Sequence, residues 1–161
     1  LVSEVIKYGL IALISMIVLI AVYKMINTLQ ERACKTEIAK FEIELRSMDK
    51  SLRFGERELQ SYLAPCKVDG IYFFDLNKNI NPENFNEIPL IKDTLKNRGG
   101  NNVFLVKGGE VKRAFYAGNL EIEEPYYLCL TPRQYKISFF MESAGRSVII
   151  TPSEDQPRCA P

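Results

Sequence analysis

The sequence feature that most constrains this chain is the stretch from Tyr8 to Tyr23, YGLIALISMIVLIAVY, which has sixteen residues and no charge between Lys7 and Lys24. As an α-helix it would span about 24 Å. A free membrane span needs about 20 apolar residues, or roughly 30 Å, so this run is short for one. Because it is apolar on every face, it is not an ordinary amphipathic surface helix. It must therefore be buried all round, either by lipid or by copies of itself.

The helix is expected to continue beyond Lys24, because the residues from Met25 to Leu63 contain no Pro and only one Gly, Gly55. Apolar positions recur there at spacings of four and three, which is typical of one apolar helix face. We expect this face to pack on the chain's own sheet, with a separate coiled coil as the alternative. The predicted contacts between helix and head are Ile38, Phe41, Leu45, Met48 and Leu52, and the stripe runs on through Leu59 and Tyr62.

From Pro65 onward the pattern changes to short apolar runs separated by turn residues, which predicts strands. A hairpin is expected around Gly108-Gly109 and a short helix over residues 89–97. The predicted strands are residues 71–76, 103–106, 111–116, 126–130, 136–141 and 147–151.

These elements predict an α+β fold, in which a long N-terminal helix packs on an antiparallel β-sheet of about five or six strands. The first half of the helix is apolar and the second half is amphipathic. The corresponding domains are a hydrophobic helix over residues 1–24, its amphipathic continuation over 25–64, and a β-rich head over 65–161.

The composition excludes several kinds of site. The chain has no His and a net charge of +1, from 21 Lys and Arg against 20 Asp and Glu. Nucleic-acid binding is therefore not expected, and neither are His-dependent nucleophiles or His-ligated zinc. We predict no catalytic residue, no metal and no cofactor. The cluster of Glu121, Glu123 and Glu124 is interpreted as a solvated loop.

Four cysteines, Cys34, Cys66, Cys129 and Cys159, are widely spaced and include no C-x-x-C motif. Their even number beside an export-like N-terminus favours disulfides in an oxidising compartment, and the alternative is four buried thiols in a reducing one. In a continuous helix Cys34 and Cys66 would lie about 48 Å apart, whereas a disulfide needs Cα atoms within about 7 Å. Cys34–Cys66 is therefore disfavoured, and two connectivities remain. We favour Cys66–Cys129 with Cys34–Cys159, and the alternative is Cys34–Cys129 with Cys66–Cys159.

The N-terminal segment resembles a mature type IV pilin-like subunit, most closely archaeal pilins with class III signal peptides. The match is carried by Leu1, Glu4, the apolar run and the amphipathic stripe that follows. The resemblance implies that a peptidase cuts just before Leu1. It also departs from the family pattern, because the Glu is at position four and Lys7 lies where pilins are usually apolar.

This resemblance implies a non-enzymatic structural subunit of an extracellular, cell-surface filament for adhesion or surface contact. The subunit would lie in the membrane before assembly, and its helices would then pack with those of identical subunits while the heads stay outside. The alternatives are a single-pass membrane-anchored extracytoplasmic protein, acting as anchor, sensor or envelope-assembly factor, and a membrane-tethered enzyme. The expected filament-core residues are Glu4, Tyr8, Gly9, Leu10, Leu13, Ile14, Ile17, Leu19 and Ile20.

Overall fold

The computed structural model describes residues 2–51 and 53–159 and divides into two compact units, residues 1–36 and 37–161. Helix α1 (Val2–Arg46) contains the boundary between them, and a short helix α2 (Met48–Ser51) follows it. All strands belong to the second unit, which we call the head. The remaining elements are β1 (Arg57–Leu63), β2 (Gly70–Phe74), α3 (Pro89–Lys96), β3 (Val103–Lys107), β4 (Glu110–Phe115), β5 (Leu120–Glu121), β6 (Tyr127–Leu130), β7 (Lys136–Ser143) and β8 (Val148–Pro152), with 3₁₀ turns at Pro65–Lys67 and Pro82–Phe85.

The prediction that one helix runs to Leu63 is wrong beyond α2, because residues 57–63 form strand β1. The chain reverses in a turn where Gly55 has a φ of +74°, a conformation that glycine adopts without steric cost. The side chain of Glu56 accepts a hydrogen bond from the Arg53 backbone N–H and holds this turn. Leu59 and Tyr62, which fit a helical stripe by spacing, are therefore strand residues.

The predicted α+β class is confirmed, but the strands form two sheets rather than one. The first sheet has the order β1-β7-β8-β5 and the second has the order β4-β3-β2-β6. All pairings are antiparallel except the short β5–β8 pair, which is parallel. The predicted hairpin is confirmed as β3–β4, with Gly108 and Gly109 both at positive φ in the turn.

The second sheet is covered on both faces, which explains why β2 and β3 read as continuous apolar runs. In β2, Ile71 and Phe73 belong to the larger core cluster, which also contains residues of the first sheet. Phe74, from the opposite face, lies in a second cluster with Phe85 and with Ile91 of α3. The head is thus built from the first sheet, the second sheet and the α3 region as successive layers.

The end of α1 packs between the two sheets. Phe41 and Leu45 are buried in the larger core cluster together with Met48 of α2, and Ile38 is partly buried against it. The Phe41 ring makes edge contacts with Tyr62 of β1 at 6.1 Å and with Phe115 of β4 at 6.5 Å between centroids. Through Phe41, α1 therefore contacts one strand of each sheet. The remaining predicted contact, Leu52, lies outside the described residues.

Both favoured disulfide pairs are wrong, because Cys129 is bonded to Cys159 with a Cα–Cα distance of 5.3 Å. Cys34 and Cys66 are disulfide-bonded as well. The argument against pairing Cys34 with Cys66 assumed a helix that continues to Leu63, and that premise fails. In the head, the Cys66 backbone N–H donates to the Glu37 carboxylate at 2.8 Å, so the chain has folded back along α1.

Candidate functional site: the exposed apolar half of α1

The apolar run of α1 is exposed along its length in the part of the chain that the structure describes. Every large hydrophobic side chain from Val5 to Leu29 is exposed, by 47–72 %. Fully burying one such Leu or Ile side chain is worth about 1.5–3 kcal/mol. An uncovered surface of this size marks a contact with lipid or with another protein.

Two hydroxyl groups of α1, that of Ser15 inside the run and that of Thr28 beyond it, are bonded to the helix backbone. The Ser15 hydroxyl donates to the Ile11 carbonyl at 2.8 Å, and the Thr28 hydroxyl donates to the Lys24 carbonyl at 3.0 Å. Such back-bonding removes the need for a water molecule or a partner at these positions. The run can therefore enter an apolar environment without leaving these hydroxyls unpaired.

Charged residues bracket the run. Glu4 lies in the first turn of α1, where a carboxylate interacts favourably with the positive end of the helix dipole. Lys7 and Lys24 can extend their ammonium groups away from an apolar layer while their methylene stems stay in it. By length and composition, the helix from Ser3 to Arg46 is capable of crossing a membrane, and none of its most apolar window is buried.

Two small residues, Gly9 and Ala12, lie on one side of the run. A Cβ atom on Gly9 would meet no heavy atom within 4 Å, so packing inside the single chain does not require glycine there. Gly in a helix interior costs about 1 kcal/mol relative to Ala. Ala12 is three residues away and lies on the same side, and small residues on one side of a helix allow a second helix to approach closely.

The structure places the expected filament-core residues together on this uncovered helix. Tyr8, Leu10, Leu13, Ile14, Ile17, Leu19 and Ile20 are all exposed in the single chain. Glu4 is exposed as well. Their role in a filament core stays a prediction.

The buried polar groups of the head serve its own fold. Glu42, almost buried, forms ion pairs with Arg46 at 2.6 Å and with Arg113 of β4 at 2.9 Å. Buried Asn102 donates to the Gly118 carbonyl and accepts from the Ala117 N–H. Buried Gln156 accepts from the Ser138 N–H and donates to the Thr131 carbonyl. Each polar side chain is used to hold neighbouring segments together.

The acidic loop before β6 has no metal-site geometry. The Glu121 carboxylate accepts a hydrogen bond from the Ser147 hydroxyl. Among residues 2–51 and 53–159, no group of three or more His, Cys, Asp or Glu side chains is arranged to hold a metal ion. The prediction that the protein is not an enzyme stays a prediction.

Two acids of the head have pKa values lowered by lysines. The Glu83 pKa is below its usual range because Lys92 and Lys96 donate hydrogen bonds to it, at 2.6 and 3.1 Å. The Glu110 pKa is lowered in the same way by Lys112. The Glu83 pairs link the 3₁₀ turn at Pro82–Phe85 to α3, whereas Glu110 and Lys112 lie on the same strand, β4.

Two tyrosines have raised pKa values, chiefly because they are partly buried. The Tyr62 pKa is raised to about 12 by burial, with the nearby Glu44 and Glu58 carboxylates adding to the effect. The Tyr72 pKa is raised by burial and then by Tyr127 and Glu87. Tyr62 stacks on Phe139 at 5.5 Å between centroids, so its ring is a packing element of the α1–sheet contact.

Comparisons of this chain with protein-family models, with curated proteins and with solved structures find no match. The pilin resemblance therefore depends on the N-terminal residues alone.

Proposed function

We propose that this chain is the structural subunit of an extracellular type IV pilus-like filament. The apolar halves of α1 form its core and the β-rich heads face outward. The observation that carries the proposal is the exposure of every large hydrophobic side chain from Val5 to Leu29 in a helix whose other end is buried in the head.

A bundle of identical helices satisfies the all-round apolar surface, because each helix is enclosed by several neighbours. In the membrane the same surface contacts lipid, so assembly exchanges lipid contacts for helix contacts. Gly9 supports this exchange, because a position without a side chain lets a second helix approach closely. Contact with lipid does not require such a position. A head-to-tail contact that does not close on itself produces a helical filament.

The disulfides support a location outside the cytoplasm. Cys129–Cys159 joins β6 to the C-terminal tail, and Cys34 and Cys66 are oxidised too. Disulfides persist in oxidising compartments and are rare in the cytosol. Together with a helix capable of crossing a membrane, they indicate a head that lies on the outer side.

The principal test is Leu13→Lys, assayed by electron microscopy of material sheared from cells. A lysine at the centre of an apolar span costs about 2.5–3.5 kcal/mol per chain, and a filament repeats this cost in every subunit. We expect filaments from the wild type and none from Leu13→Lys, with the head still folded by circular dichroism. Gln30→Lys is the matched control, because Gln30 is exposed on α1 beyond the apolar run.

A second function, a membrane-anchored extracytoplasmic protein, is favoured by the flanking Lys7 and Lys24 and by the membrane-compatible length of α1. In that case the wild type yields no filament, and the purified full-length chain is a discrete detergent-bound species. That result would overturn the filament proposal. Filaments that persist in Leu13→Lys would instead show that the apolar run is not their core.

A further inference from the structure

The head has four sheet edges in its described part, and three of them are protected. The β5 edge is only two residues long. The β6 edge is covered by the tail, through the Leu130–Arg158 bridge and the Cys129–Cys159 disulfide. The β4 edge carries a register irregularity and charged residues, and its Arg113 is paired to Glu42 of α1. Short strands, covers, charges and bulges are the usual ways to block pairing with another chain.

The fourth edge, β1, is long and has no bulge, and its two charged residues, Arg57 and Glu58, lie at its first two positions. It is seven residues long, pairs with β7 in an uninterrupted register, and contains no Lys, Pro or Gly. Its side chains are exposed apart from the half-buried Gln60 and Tyr62, and Leu59 and Leu63 are 53 % and 64 % exposed.

The backbone groups that β1 leaves free can be assigned from its pairing. The Ala64 N–H donates to the Tyr135 carbonyl, and the Ser143 N–H donates to the Glu56 carbonyl. Hydrogen-bonded pairs alternate along an antiparallel ladder, so the even-numbered residues of β1 bond to β7. The odd-numbered residues therefore turn their N–H and C=O groups away from the sheet, and they are Arg57, Leu59, Ser61 and Leu63.

A groove runs beside this free edge within the head. It has a volume of about 470 Å³ and is lined on one side by α1 residues, including Lys40 and Phe41, and on the other by Ser61, Tyr62 and Leu63. An added strand therefore has space next to the backbone groups that it would bond. Lys67 also lines the groove, and together with Lys40 it balances the charges of Glu37 and Glu44 there.

We propose that β1 pairs with β1 of a second copy of this chain, antiparallel and about a two-fold axis at Ser61. In this register Leu59 of each copy faces Leu63 of the other, and Ser61 faces Ser61. All three facing pairs are odd-numbered, so the free backbone groups of both copies meet and form about six hydrogen bonds. Leu–Leu pairs across the new junction cover the side chains that each copy exposes.

The charges along β1 are compatible with a second copy as the occupant. The register places Glu58 of the second copy opposite Ala64, beside a groove whose lining contains two lysines and two acids: Lys40, Lys67, Glu37 and Glu44. No like charges face each other across the junction, because Arg57 lies opposite Pro65. The sequence of β1 is thus complementary to itself in this register.

The test uses Ser61→Cys in the full chain in detergent micelles, analysed by non-reducing electrophoresis after mild oxidation. A hydrogen-bonded antiparallel pair has its Cα atoms about 5.5 Å apart, which is within disulfide range. We expect a covalent dimer. Ser138→Cys is the matched control, because Ser138 pairs with Ser61 on β7 and shares its exposed face. Its two copies would lie three strand spacings apart, about 14 Å, and should not link.

Two further variants make the result decisive. Adding Leu59→Lys to Ser61→Cys should abolish the dimer while the head stays folded, because this side chain points outward and edge lysines oppose pairing. Adding Leu13→Lys to Ser61→Cys should leave the dimer intact, since the pairing does not use the apolar run. A monomeric Ser61→Cys, equal linking of Ser138→Cys, a dimer that survives Leu59→Lys, or one lost with Leu13→Lys would each overturn the proposal. None of these outcomes decides whether filaments form.

Discussion

The two ends of α1 are both rich in large apolar residues, yet their environments are opposite. From Val5 to Leu29 every such side chain is exposed, whereas Phe41 and Leu45 are at most 2 % exposed. The difference follows from the pattern of charges. Near Phe41 the apolar residues occupy one face, and a sheet of the same chain can cover one face. The run from Tyr8 to Tyr23 is apolar all round, and a sheet packed on one side would leave the opposite side bare.

The largest expected effect is a difference in head stability between two variants, each of which truncates one leucine at one end of α1. Leu45→Ala should lower the free energy of unfolding of the head by about 2–5 kcal/mol, because it leaves a cavity in the core. Leu13→Ala should leave that free energy unchanged, since the Leu13 side chain is 58 % exposed. Chemical denaturation of the full chain in detergent, followed by near-ultraviolet circular dichroism, measures both.

Equal destabilisation by the two variants would contradict the division of α1 into an exposed and a buried part. Ile43→Ala serves as a control for the buried end. Ile43 is 68 % exposed although it lies between Phe41 and Leu45. We expect its truncation to leave the free energy of unfolding nearly unchanged.

The sequence predicted those elements whose periodicity is unambiguous. The Gly108-Gly109 hairpin, the α3 helix and the later strands lie close to their predicted positions, because alternation and turn residues are local signals. The end of the helix was missed because Leu59 and Tyr62 continue the spacing of the stripe. The residue type of Gly55 was the available signal, because glycine readily adopts the positive φ that this residue has where the chain reverses.

The disulfides were mispredicted for the same reason. The exclusion of Cys34–Cys66 depended on a helix that reaches Leu63, because only a continuous helix keeps these two cysteines far apart. Once the helix ends earlier, the exclusion no longer holds. The free edge of β1 could likewise not be predicted from the sequence, because residues 57–63 were predicted to be helical. Which edge of a sheet is free depends on long-range strand order, and local patterns do not contain that information.

A second prediction sharpens the comparison at the buried end of α1, where Tyr62 contacts Phe41. The Tyr62 pKa is raised from 10.0 to about 12, mainly by burial. A raised pKa means that the folded state holds this proton more tightly than the unfolded state, so the stabilisation is complete below pH 10 and is lost as the pH rises toward 12.

Absorbance titration of the phenolates checks this directly. The difference between the wild type and Tyr62→Phe should show one tyrosine that ionises near pH 12. The stability of the wild type should also decline more steeply than that of Tyr62→Phe across this alkaline range. Tyr135→Phe is a suitable control, because Tyr135 is 59 % exposed. A midpoint near pH 10 for the Tyr62 difference signal would show that this ring is not shielded by α1.

The smallest expected effect tests the exposed end of α1 through Gly9→Ala. In the single chain the new methyl group meets open space, so the head should keep its stability. The isolated helix should gain up to about 1 kcal/mol, because alanine is the better helix former. In a bundle the same methyl group widens the closest helix–helix contact. We therefore expect higher helicity in micelles, measured by circular dichroism, together with a higher concentration threshold for assembly. A variant that improves helicity and assembly alike would show that no helix packs closely at Gly9. The uncovered run would then contact lipid, or a partner helix on another side.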